Sequence, residues 1–198
     1  MWCSRQTDRM PQKEREIIME YGREDEGRQI VKWFCIISGP MGVGKTTVGQ
    51  ILKRQLENCA FLDGDWCWDM YPFRVNERTK ALVMDNICCV LGNFLRCGEF
   101  DHIVFCWVMH EQRIIDEICS SLDLSDWKIL SVSLVCSEEA LEERIRKDMG
   151  KGLRSGGVLE RSLERMKLYD RVQSVKIDTT GKAPEKVAEE IVMQMRRR

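Results

Sequence analysis

The chain has 198 residues, 43% of them apolar and 32% charged, with 31 basic and 32 acidic side chains for a net charge of −1. That length and balance suit one globular domain with a sizeable core, and they leave no global charge with which to hold nucleic acid or an anionic membrane. No apolar run approaches the roughly 20 residues of a bilayer span, and the charged N-terminus lacks a signal-peptide stretch, so a cytoplasmic monomer or homodimer without membrane or nucleic-acid partners is expected.

Residues 1–30 carry six basic and seven acidic side chains around an apolar Ile17–Ile18–Met19 cluster. They read as a flexible arm or a short surface helix, with the domain itself over 31–198. From there strand and helix patterns alternate. Trp33–Ser38 is a buried-strand run that ends in a glycine-rich turn. Over Thr46–Leu56, Val48, Ile51, Leu52 and Leu56 share one helix face. Ala60–Asp63 is a short strand, Glu77–Cys97 a long amphipathic helix and His102–Val108 a third strand. Glu111–Leu122 is a helix, and Lys128–Val135 a fourth strand followed by Ser137 as N-cap of another helix. Residues 150–157 are glycine-rich; Leu159–Tyr169 is helical, Ser174–Asp178 a fifth strand and Pro184–Met195 a closing helix. Apolar strands separated by helices imply a doubly wound α/β domain with a parallel sheet covered on both faces.

The ten cysteines include no C-x₂-C pair. Several lie inside apolar runs, as Cys35, Cys106 and Cys136 do, where a thiol acts as a small hydrophobe. Reduced cysteines are expected, with no metal or disulfide role.

Gly39-Pro-Met-Gly42-Val43-Gly44-Lys45-Thr46 satisfies G-x-x-x-x-G-K-[ST] between a buried strand and a helix, the context this chemistry requires. Glycines let successive N–H groups turn inward as an anion nest, and the helix N-terminus adds partial positive charge. Lys45 is expected on the β- and γ-phosphates of ATP, the Thr46 hydroxyl on Mg²⁺ and Thr47 on the α-phosphate.

Asp63 and Asp65 follow directly at the carboxyl end of the second strand, the edge where open α/β sheets bind ligands. One carboxylate can hold Mg²⁺ and the other accept the proton of a substrate hydroxyl. Asp63 is placed on the metal side and Asp65 on the substrate side. The third strand ends Phe105-Cys-Trp-Val-Met-His110 without a carboxylate, which makes this pair the obvious source of the metal-side acid, with His110 and Glu111 as weaker candidates. Beyond the pair, Trp66, Trp68, Tyr71, Phe73 and Arg74 could line a pocket for a flat or sugar-like anionic acceptor.

Between Arg144 and Arg171 stand nine basic and four acidic residues, interrupted by glycines 150, 152, 156 and 157. A hinged, basic segment of this kind suits a lid that closes over ATP and carries arginines to the transferring phosphoryl group. Arg154 and Arg161 are nearest the glycines and are expected on the phosphates.

Together G-P-M-G-V-G-K-T-T, L-D-G-D at 62–65, the basic segment 144–171, I-D-T-T-G at 177–181 and A-P-E-K-V-A at 183–188 give a chain that resembles the P-loop small-molecule and nucleotide kinases over about residues 32–195. That group includes shikimate, gluconate, adenylylsulfate and nucleoside monophosphate kinases. The resemblance implies a P-loop NTPase three-layer sandwich with sheet order 2-3-1-4-5 and a helical lid. It also implies an adenine flanked by Asp178–Gly181, with Arg144 stacked on the base or touching a phosphate. The chain departs from the shikimate kinases in lacking a glycine-rich loop after the third strand. It has no D-G-[FY]-P-R of adenylate-type kinases, and W-C-W-D-M-Y-P-F follows L-D-G-D. The expected function is an ATP- and Mg²⁺-dependent transfer of phosphate to a hydroxyl or phosphate of a small metabolite or nucleotide. The alternative is an ATPase or nucleotide-dependent regulatory module without transfer. A guanine switch is disfavoured by the lack of N-K-x-D.

Overall fold

The structure, a computed structural model, describes residues 31–151 and 157–197. The N-terminal arm and Arg154 lie outside the described residues. Five strands, β1 (Lys32–Ser38), β2 (Cys59–Asp63), β3 (His102–Cys106), β4 (Trp127–Val135) and β5 (Val175–Asp178), form one sheet in the order β2-β3-β1-β4-β5. Every pairing is parallel. Six α-helices are described: α1 (Lys45–Gln55), α2 (Glu77–Cys97), α3 (Gln112–Ser120), α4 (Glu138–Gly150), α5 (Val158–Met166) and α6 (Pro184–Arg196). Short 3₁₀ turns cover Gly64–Trp68 and Lys167–Arg171.

Strand alternation sorts the core into two faces. Trp33, Cys35 and Ile37 of β1 pack with Val48 and Leu52 of α1 and with Val187, Ile191 and Met195 of α6. Phe34 and Ile36 point the other way, onto Val83, Ile87 and Leu91 of α2 and Ile115 and Ile118 of α3. A side chain that alternates across a fully buried strand must be apolar on both faces, which is why these strands read as continuous apolar runs. A third cluster, Leu141, Ile145 and Val158, joins α4 to α5. The result is the expected three-layer sandwich.

Element ends moved by a few residues. The strand expected to reach Val108 stops at Cys106; Trp107 still donates its backbone N–H to Ile37 at 3.1 Å before the chain leaves the sheet. Helix α3 begins at Gln112 because Glu111, with φ −126°, is extended. The helix expected over 159–169 divides after Met166 into a tighter 3₁₀ turn, and the buried Tyr169 of that turn joins the α2–α3 face of the core. Helix α2 has the expected bounds, and Asn76 and Thr79 close a reciprocal capping box at its start. Among the described residues no helix is long and apolar enough to cross a membrane.

Candidate functional site

The loop between β1 and α1 is shaped by glycines that other residues could not replace. Gly39 has φ +150°, and a Cβ there would stand 2.7 Å from the Leu134 carbonyl oxygen; Gly42 has φ +86°, with Ile145 2.8 Å from a Cβ. The chain therefore passes close over β4 and α4 before α1 begins. Lys45 folds back across this loop and donates from Nζ to the carbonyls of Gly39 and Pro40, each at 3.0 Å.

Thr46, in the first turn of α1, donates its hydroxyl to Asp63 Oδ2 at 2.6 Å. The other oxygen of Asp63 accepts the Asp65 backbone N–H at 3.0 Å, which caps the 3₁₀ turn. Asp63 is itself buried. The contact spans two strands' width, since β2 is separated from β1 by β3. Gly49 makes it possible: a Cβ there would lie 2.3 Å from the Phe61 ring, so α1 rests directly against β2. One helical turn before Gly49 stands Thr46, and two residues beyond Phe61 stands Asp63, so the same approach delivers both ends of the hydrogen bond.

Cys106 is the register partner of Asp63 on β3 and is fully buried. Burial first, then the Asp63 carboxylate, push its thiol well above the ordinary cysteine range. The third strand thus ends in a neutral group, and Asp63 supplies the carboxylate beside Thr46. Burial likewise raises Cys67, with Asp63 adding to it. All nine cysteines among the described residues are free thiols, and among those residues no three His, Cys, Asp or Glu side chains form a metal-binding group.

A cleft of about 560 Å³ opens above this loop, lined by Met41–Thr47, Asp65, Arg144, Lys147, Lys151 and Thr179 among others. Of the residues expected to touch nucleotide, Gly42, Val43, Gly44, Lys45, Thr46, Thr47 and Arg144 are in the lining and Gly39 is not, its carbonyl accepting from Lys45 instead. Arg144 hydrogen-bonds the Val43 carbonyl at 3.2 Å and the Thr179 hydroxyl and carbonyl at 2.9 and 2.6 Å. It therefore straps the loop to the β5–α6 connection. Lys147, Lys151 and Lys182, which add positive charge to the cleft, were not singled out from sequence as contacts. Arg144, Lys147 and Lys151 recur at helical spacing, so their common face was readable.

Other expected residues stand apart. Arg161 is exposed and donates to its own helix, to Gly157 at 3.0 Å. Trp66 is half exposed and meets Phe61 edge-on at 5.5 Å, and Arg74 is exposed with its carbonyl accepting from Thr79. Neither Trp66 nor Arg74 lines the cleft, and Tyr71 and Phe73 face solvent.

Residues 35–173 match a family model described as AAA domain. Among solved structures the chain is similar to a gluconokinase from Sinorhizobium meliloti, with 18% identity, a TM-score of 0.64 and coverage of 86% of this chain and 94% of that one. It is similar to the Deinococcus radiodurans tunicamycin resistance protein at 19% identity and a TM-score of 0.60, covering 83% and 95%. A shikimate kinase from Acinetobacter baumannii in complex with shikimate is similar at 21% identity and a TM-score of 0.59, covering 84% and 94%. At such identities the likeness is one of fold. No curated protein matches the sequence.

Proposed function

The chain belongs to the AAA domain family, and on that premise we propose that it is an ATP-dependent phosphotransferase acting on a hydroxyl or phosphate of a small metabolite or nucleotide. The observation that carries the reading is the Thr46–Asp63 hydrogen bond at 2.6 Å, with Asp65 two residues on in the same cleft. A phosphate loop alone says that a nucleotide binds. A carboxylate held against its threonine, and a second one beside it, are the parts that transfer needs.

Mg²⁺ fits the donors present: a hydroxyl and a carboxylate are hard oxygen ligands, and this ion is held by one or two carboxylates together with substrate phosphates and water. Thr46 and Asp63 would hold it, and when bound it neutralises charge on the β- and γ-phosphates. Lys45, already bent over the loop, would bind the same phosphates, with the Val43 and Gly44 backbone and Thr47 completing the cradle. Asp65 would accept the acceptor's proton. Trp66 and Arg74 would reach an acceptor only if the loop carrying them folds over it. Arg161 would reach the phosphates only on closure of the basic segment that carries it.

The test is a transfer screen with γ-labelled ATP across nucleosides, nucleotides, sugar acids and aminoglycosides. Label should appear on one class of acceptor and vanish in Asp65→Asn. Steady release of inorganic phosphate with no labelled acceptor would replace this reading with the nucleotide-hydrolysing one.

A further inference from the structure

The guanidinium of Arg144 is engaged on two sides. Its Nη1 donates to the Val43 carbonyl at 3.2 Å and to the Thr179 hydroxyl at 2.9 Å, and its Nη2 donates to the Thr179 carbonyl at 2.6 Å.

The Thr179 side is anchored. Thr179 is buried, and its hydroxyl and backbone N–H both donate to the Val135 carbonyl at the end of β4, at 3.1 and 2.8 Å. The Lys182 N–H joins Arg144 on the Thr179 carbonyl at 3.2 Å. One residue on, the Thr180 hydroxyl accepts the N–H of Ser137, the N-cap of α4, at 2.9 Å. This end of the strap is therefore fixed to the sheet and to the helix that carries Arg144.

The Val43 side is different. The Val43 side chain packs in the core, but the peptide that follows leads into Gly44, with φ +107°. A Cβ on Gly44 would meet no atom within 4 Å beyond its chain neighbours. Glycine adopts either hand of the backbone at little cost, so packing does not decide how the Val43–Gly44 peptide is turned. A hydrogen bond can. In a trans peptide the C=O and the following N–H point opposite ways across one rigid plane. By holding the Val43 carbonyl, Arg144 sets the direction of the Gly44 N–H, a donor of the loop that lines the cleft.

Resting on the nucleotide-binding part of the reading above, we propose that Arg144 is a positioning residue of the phosphate loop. It touches neither base nor phosphate and acts on the nucleotide through the Gly44 N–H. That role departs from the stacking or phosphate contact that the resemblance implies for the same arginine. It also makes the grip of the loop depend on the buried start of the β5–α6 connection. Only a planar fork of donors spans Val43 and Thr179 together; an ammonium is a point charge.

The test joins the amide NMR spectrum of the full chain without nucleotide to calorimetry with Mg²⁺ and either ATP or inorganic tripolyphosphate. Arg144→Gln should move or broaden the Gly44 amide resonance and leave that of Gly98, the C-cap of α2, in place as the sign of an intact fold. The same variant should weaken ATP and tripolyphosphate by one common factor of about tenfold, since both lose a preset donor and neither loses a direct contact. Arg144→Lys keeps the charge without the span and should resemble Arg144→Gln. Thr179→Val removes only the hydroxyl arm and should shift Gly44 in the same direction by less. An unmoved Gly44 resonance in Arg144→Gln overturns the proposal. So does a loss confined to ATP, which would put the arginine on the base, or recovery in Arg144→Lys, which would put its charge on a phosphate. A parent chain that binds neither ligand defeats the phosphotransferase reading instead, and the Gly44 resonance, recorded without nucleotide, still decides the strap.

Discussion

Lys45 holds the loop before any phosphate arrives, because its two 3.0 Å bonds to Gly39 and Pro40 tie the turn to the helix that follows. A nucleotide would exchange those carbonyls for phosphate oxygens. Lys45→Ala should therefore lower ATP affinity by roughly tenfold to a hundredfold, the worth of charge-assisted bonds, as read by calorimetry. Normal binding in that variant would remove the central claim. Asp65→Asn should keep ATP affinity within a few-fold while slowing transfer by roughly 10²–10⁴; an equal loss in both would move Asp65 to the metal side.

At the scale of elements, the packing of α1 on β2 decides whether Thr46 meets Asp63. Gly49→Ala would normally favour the helix by about 1 kcal/mol. Here the added methyl meets the Phe61 ring at 2.3 Å, and overpacking of that kind costs about 1–3 kcal/mol. The variant should melt lower in thermal unfolding and need more Mg²⁺ for ATP binding, and Phe61→Leu in the same chain should recover both. A Gly49→Ala variant as stable and as responsive to Mg²⁺ as the parent would show that the approach is incidental. The phosphate loop was legible in sequence because its glycines, lysine and threonine are contiguous and its flanking strand is wholly apolar. Sheet order came from resemblance, since periodicity gives strands but not their neighbours. Asp63 and Asp65 were legible from their place at a strand end. The Gly49–Phe61 approach was not, because it depends on how a helix lies on a sheet. Arg161 was chosen for its nearness to the glycines along the chain, and in space its guanidinium turns back onto Gly157.

For the whole molecule, the sandwich is built from described residues, and among these the three hydrophobic clusters draw on positions from 33 onward. Removal of residues 1–28 should leave a folded domain that binds ATP, checked by circular dichroism and calorimetry; an unfolded product would make the arm part of the core. Thiol chemistry offers a second global test. Cys89 and Cys97 are exposed, Cys35 and Cys106 are buried, and Cys59, partly covered, is pushed up to about 12 chiefly by burial. Within the described residues, a thiol-specific dye at pH 8 should label Cys89 and Cys97 first and reach Cys35, Cys59 and Cys106 only on unfolding. Early labelling of Cys106, read by peptide mapping, would mean that the strand ends beneath the site open in the native state.

The neutral end of β3 has a consequence for how such chains are found. With Cys106 opposite Asp63, the acid beside the phosphate-loop threonine has shifted sideways by one strand, about 4.8 Å. A search pattern that demands an acidic residue closing the third strand would pass over this arrangement. One that pairs a helix glycine one turn past the threonine with an aromatic residue two positions ahead of a second-strand aspartate would collect it, and could gather its kin.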